Sequence, residues 1–102
     1  MDLYTVGIWK IKPGKEDEFA AAWQEFLGWT AKNQPGAKGA FMLQDPADPQ
    51  RFMTFGLWDN EDDIAAWRAT QQLRDYGAKT ADLVEEGSTR TMRLRTQIRG
   101  GR

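Results

Sequence analysis

Two residues in the middle of the chain, Trp67 and Tyr76, have side chains able to handle a small aromatic molecule. Trp67 lies about one turn beyond a helix start and faces a strand system that carries Gly7 and Gly56. An indole is comfortable in an interior only when its N–H has a partner, so a tryptophan there is either packed core or the wall of a cavity. The two glycines either leave room for such a cavity or mark bulges and close backbone approach. Both readings stand on the residues alone. Tyr76 offers a phenol that can donate to a bound phenol or quinone; the plainer alternative is an amphipathic side chain with its hydroxyl at the surface.

Other polar residues have simpler explanations. Asn33, at the end of a helical pattern, suits a cap. Arg90, Arg93 and Arg95 could attract an anion, but a solvated face or charges guarding a sheet edge is more economical. Glu61, Asp62 and Asp63 fall in the first turn of a helix, where its dipole favours negative charge; consecutive helical side chains diverge, which argues against a metal site.

Composition removes several chemistries. The sequence has no cysteine, which excludes disulfides and thiolate catalysis, and no histidine, which removes the commonest general base and metal ligand. A net charge of −1 argues against broad binding to nucleic acid or acidic membranes. No apolar run reaches the roughly 20 residues of a membrane span, and no basic leader opens the chain, so a soluble cytoplasmic protein is expected. The 102 residues suit a single domain, with Arg99 to Arg102 as a frayed tail.

The elements that must position Trp67 and Tyr76 are legible from periodicity. Leu3 to Lys12 reads as a strand with Tyr4, Val6 and Ile8 on one face, broken by Pro13-Gly14. Phe19, Ala22, Trp23, Phe26 and Leu27 form one stripe on a helix from Glu16 to Lys32. Ala37 to Gln44 and Arg51 to Trp58 read as an antiparallel hairpin around the turn cluster Asp45 to Pro49. Asp59 or Asn60 can cap the following helix. That helix weakens near Thr70 and restarts around Leu73 to Tyr76, with Gly77 as its C-cap. Ala78 to Glu86 reads as a further short helix closed by Gly87, and Thr89 to Ile98 as the last strand.

The order β-α-β-β-α-β predicts an α+β, ferredoxin-like four-stranded antiparallel sheet with helices on one face. The first three strands are apolar on both sides, and their own helices cover only one. An uncovered apolar face marks an interface, and a homodimer with two sheets face to face is the simplest solution; a ligand or a different partner is the alternative.

Trp9-Lys10-Ile11-Lys12-Pro13-Gly14, the helix bearing Phe19 and Trp23, and the block Phe55 to Glu61 leading to Trp67 together resemble the antibiotic biosynthesis monooxygenase domain of the dimeric α/β-barrel group. The resemblance spans roughly residues 3 to 98. It implies a cofactor-independent oxygenase converting phenols or quinols to quinones with O2, or a haem-degrading enzyme. For the haem-degrading branch only Trp67 matches, since Gly7 stands at the first-strand Asn position and Gly77 near that of the His. The quinone-forming branch implies a Trp with nearby Asn, Tyr and Arg, with the Tyr or an arginine steadying the oxyanion; here Trp67 matches and Tyr76 lies nearby, while Asp63 occupies the region of the expected Asn.

On this resemblance Trp67 and Tyr76 are the candidate catalytic residues. Gly7, Trp23, Phe26, Gly56 and Leu73 are the candidate substrate-binding residues, with no metal and no cofactor. A small aromatic substrate, O2 and a second copy of the chain are the expected partners. A non-catalytic small-molecule binder or dimerisation module on the same fold competes with this expectation.

Overall fold

The structure is a computed structural model that describes residues 2–101. The chain runs β1 (Leu3–Ile11), α1 (Glu16–Asn33), β2 (Ala37–Gln44), β3 (Arg51–Trp58), α2 (Glu61–Arg68), α3 (Gln71–Thr80), a single 3-10 turn (Ala81–Leu83) and β4 (Val84–Arg93). The sheet order is β2-β3-β1-β4 and every neighbouring pair is antiparallel. This is the expected ferredoxin-like sheet.

Alternation divides the sheet cleanly. Leu3, Thr5, Gly7, Trp9 and Ile11 face the helices from β1, and Phe52, Thr54, Gly56 and Trp58 do so from β3. On the other face Ile8, Phe41, Leu43, Met53 and Met92 stay between 39% and 53% exposed, and Phe41 stacks on Phe55 with centroids 4.8 Å apart. The bare apolar face expected from the sequence is therefore present in the single chain.

Side-chain caps start α2 and α3, whereas α1 has none. Asn60, rather than Asp59, caps α2 by accepting from Asp63 N at 2.9 Å. Thr70 serves both helices at the junction: its hydroxyl donates to Trp67 O at 2.7 Å and accepts from Leu73 N at 3.2 Å. This explains the weakening of the helical pattern there.

The last third departs from expectation. Gly77 is not a C-cap but an interior residue of α3, which continues to Thr80. The short helix expected over Ala78 to Glu86 is instead the end of α3, one 3-10 turn and the start of β4; Gly87 lies within the strand. β4 begins five residues earlier than expected and stops at Arg93, because pairing with β1 decides its extent. Leu3 is opposite Arg93, so beyond it β1 has no strand residues left to pair. Arg99 to Gly101 form no regular element. Met1 and Arg102, the ends of the expected domain and tail, lie outside the described residues. No helix among the described residues is long and apolar enough to cross a membrane.

Candidate functional site

The buried core is in two pieces. Leu3, Trp58 and Ile64 form one, with Trp67 and Ala37 packed against it; Ile11, Phe19, Phe52 and Leu83 form the other, with Trp9, Met42 and Val84. Between them the helix-facing surface of the sheet carries small residues. Thr5, Gly56 and Ala40 stand in one row across the strands, and Thr89, Gly7 and Thr54 in the next. Under the helices this floor leaves a cavity of about 700 Å3.

The floor is built from one motif used twice. β1 carries Thr5-Val6-Gly7-Ile8-Trp9 and β3 carries Thr54-Phe55-Gly56-Leu57-Trp58. Antiparallel register sets Gly7 opposite Thr54 and Thr5 opposite Gly56. Each indole then donates to the threonine of the other strand: Trp9 Nε1 to Thr54 Oγ1 at 3.0 Å, Trp58 Nε1 to Thr5 Oγ1 at 3.2 Å. A Cβ at Gly7 would collide with Trp9 Nε1 and Thr54 Oγ1, and one at Gly56 would stand 2.7 Å from Thr5 Oγ1. The glycines therefore make room for these hydrogen bonds as well as for the cavity. Neither marks a bulge, since the register shifts lie at Lys10/Ile11 and Ala37/Gly39.

The roof is aromatic. Phe26 of α1 stacks on Tyr76 of α3 (4.7 Å, 13°), on Trp67 of α2 (5.8 Å, 22°) and on Trp29 (6.2 Å, 10°), and Trp67 leans on Trp58 at 5.0 Å. Trp67 Nε1 donates to the buried Thr30 Oγ1 at 3.0 Å, which fixes the ring as a wall. The Tyr76 hydroxyl is buried with no hydrogen-bond partner among the described residues. Desolvation by that burial pushes its phenol above the ordinary range, so it stays protonated at neutral pH.

Gly7, Trp23, Phe26, Gly56, Trp67, Leu73 and Tyr76 all border this one cavity. The arginines at 90, 93 and 95 do not; Arg90 stands opposite Val6 on the bare face. Asn33 donates to Trp29 O at 2.9 Å and so serves the helix end. Sequence reasoning passed over Thr5, Thr30, Thr54 and Arg68, which also border the cavity. The repeated Thr-x-Gly-x-Trp was the available signal for the two sheet threonines.

The described residues contain no group of three or more His, Cys, Asp or Glu able to hold a metal ion. Among the described residues the cavity lining has no carboxylate, amine or imidazole, and Arg68 is its one charged residue. With no histidine in the chain, this donor set does not fit a haem iron or another redox metal.

The fold has counterparts among solved structures. SnoaB from Streptomyces nogalater, described as a cofactor-independent oxygenase, superposes with a TM-score of 0.86 at 14% identity, covering 95% of this chain and 96% of that one. A Nitrosomonas europaea protein bearing the name of the antibiotic biosynthesis monooxygenases gives 0.81 at 22% identity, covering 89% and 88%. At these identities the likeness shows the fold. A curated relative from Synechocystis, itself uncharacterised, is 26% identical over 82 residues. Those residues are 80% of this chain and 55% of the relative, so the chain spans about half the length of the curated relative it matches. The family model described as antibiotic biosynthesis monooxygenase matches residues 3–79. The chain belongs to the antibiotic biosynthesis monooxygenase family.

Proposed function

We propose that the protein binds a phenolic or quinol-type aromatic molecule in the cavity and oxidises it to a quinone with O2, without a resident cofactor. The observation that carries this reading is the cavity of about 700 Å3, floored by small residues and walled by Phe26, Trp58, Trp67 and Tyr76, in a chain of this family. Its size and lining suit a flat ring system.

The chemistry is driven by the substrate. Triplet oxygen reacts slowly with closed-shell molecules, but an electron-rich phenolate can pass it one electron. The radical pair then recombines with a new C–O bond. Breaking the O–O bond leaves one oxygen as the quinone carbonyl and releases the other as water. The protein's part is to hold the ring and exclude bulk solvent. Trp67 packs on the ring. Tyr76, neutral at pH 7, serves as a donor to an oxygen that gains charge and not as a base.

Oxygen uptake with anthrone- and naphthol-type substrates tests this. Uptake above buffer that is lost in Trp67→Ala is expected; no uptake across a broad panel overturns it. One observation favours a second reading, a binder without turnover: Trp9, Trp58 and Trp67 all spend their N–H groups on threonines within the protein. Quenching of tryptophan fluorescence by the same compounds with no oxygen consumed would establish that alternative.

The same proposal includes a homodimer in which the bare sheet face, with Phe41, Leu43 and Met53, packs on that of a second copy.

A further inference from the structure

We infer that ring systems enter the cavity edge-on through the gap between α1 and the edge strand β2, with Ala40 as the residue that limits their size. This deepens the function proposed above and rests on its aromatic site, not on turnover. The floor row Thr5, Gly56, Ala40 holds no side chain larger than threonine and ends at the sheet edge. From β1 to β2 it runs about 10 Å, two inter-strand spacings. Ala40 points toward the helices, yet it is exposed. The floor therefore has no sill on this side.

The upper lip comes from α1. Trp23, Leu27 and Ala31 recur at i, i+4 and i+8, so they share one flank of the helix, and all three border the cavity. Glu25 on the opposite flank pairs with Lys79 of α3, with Nζ and Oε1 3.5 Å apart. The Trp23 flank therefore faces away from α3 and over β2. Gln24 and Gly28 are exposed and still border the cavity, which carries it to the surface here. A Cβ added at Gly28 would meet nothing within 4 Å, and the same holds at Gly39 on β2.

The cavity also reaches exposed residues at its β4 end, Gly77 and Thr89. That end is the harder passage. Arg68 stands there between the cavity and the outer hollow, with Nη2 bonded to Thr91 Oγ1 at 3.2 Å. A flat apolar ring moving past it would disturb a charged hydrogen bond, whereas the lips at β2 carry no charge. Ala40 faces the helices, so pairing of two copies through the bare face leaves the gap open.

The test follows quenching of tryptophan fluorescence in a stopped-flow, with 1,8-dihydroxyanthraquinone as a three-ring probe and 4-nitrophenol as a one-ring probe. Ala40→Leu is expected to slow association and dissociation of the three-ring probe together, each about tenfold, with its Kd moving by less than about threefold. Association of the one-ring probe should slow by less than about twofold. Ala31→Leu, on the opposite lip, should act in the same direction and serves as the second obstruction should Ala40→Leu fail to fold, as judged by circular dichroism. Thr89→Leu, at the other end, should slow the three-ring probe less than Ala40→Leu does. Greater slowing in Thr89→Leu overturns the inference, as does equal slowing of both probes in Ala40→Leu. A weaker Kd with an unchanged association rate in Ala40→Leu makes the residue a contact and not a portal, and also overturns it. In each of these cases the aromatic site stands. If neither probe quenches the unaltered chain, both readings fall.

Discussion

Trp9 Nε1 and Thr54 Oγ1 lie 3.0 Å apart, joined by a hydrogen bond that occupies the space a side chain at Gly7 would fill. The mirrored bond from Trp58 to Thr5 occupies the space beside Gly56. Gly7→Ala is expected to destabilise the chain by about 1–3 kcal/mol, through overpacking and the displaced hydrogen bond. Gly56→Ala should cost less, since its nearest clash is with a hydroxyl that can shift. Gly77→Ala is the control: nothing lies within 4 Å of its added methyl, it sits inside α3, and a gain of about 0.5–1 kcal/mol is expected. Urea denaturation of the three variants gives the order.

Trp67 owes its fixed orientation to the buried Thr30 as well as to ring packing. Trp67→Phe keeps an aromatic ring but removes the N–H, and Thr30→Val removes its acceptor. A double-mutant cycle in denaturant should give a coupling of about 1 kcal/mol. Zero coupling would mean that packing alone holds the ring.

Tyr76 has a raised phenol pKa because its hydroxyl is desolvated and unpartnered. The unfolded chain releases that proton near the ordinary value of about 10, while the folded chain retains it. Above that pH the folded state binds more protons, so stability falls as pH rises. Tyr76→Phe should abolish this component of the alkaline loss. At neutral pH it should leave stability unchanged or raise it by about 1 kcal/mol, because a buried polar group without a partner is removed. Thermal melts from pH 7 to 11 compare the two, and the same variant should bind quinone-type ligands more weakly.

Phe41 and Leu43 are half exposed on the bare sheet face. Phe41→Lys combined with Leu43→Lys should shift sedimentation from a dimer to a single chain while leaving the helical circular dichroism intact. A single chain before substitution would remove the proposed pairing.

The first two thirds of the fold were legible because local and tertiary signals agree there. Pro13-Gly14 and Asp45 to Pro49 punctuate strands whose apolar residues already alternate, and β2 and β3 have the boundaries those signals imply. Beyond Tyr76 the two disagree. Val84-Glu85-Glu86-Gly87 has little strand preference of its own, yet Lys10 and Trp9 of β1 pair with Glu86 and Gly87 and impose the extended form. From Leu94 to Ile98 the alternation is regular, but β1 has run out and no strand forms. Aromatic and glycine positions pointed to part of the cavity lining, Gly7, Gly56 and Trp67 among it, and missed its threonines. Which indole would meet which threonine depends on the cross-strand register, and one residue of slip would turn those side chains to the other face.

The parted interior has a thermodynamic corollary. With its middle unfilled, the empty chain forgoes dispersion contacts that a continuous core would make, and a planar guest of fitting thickness would act as a keystone between the two halves. Its melting temperature should then climb with guest concentration whether or not the guest is consumed. A thermal-shift screen would thus rank occupants by fit alone, ahead of any assay for turnover.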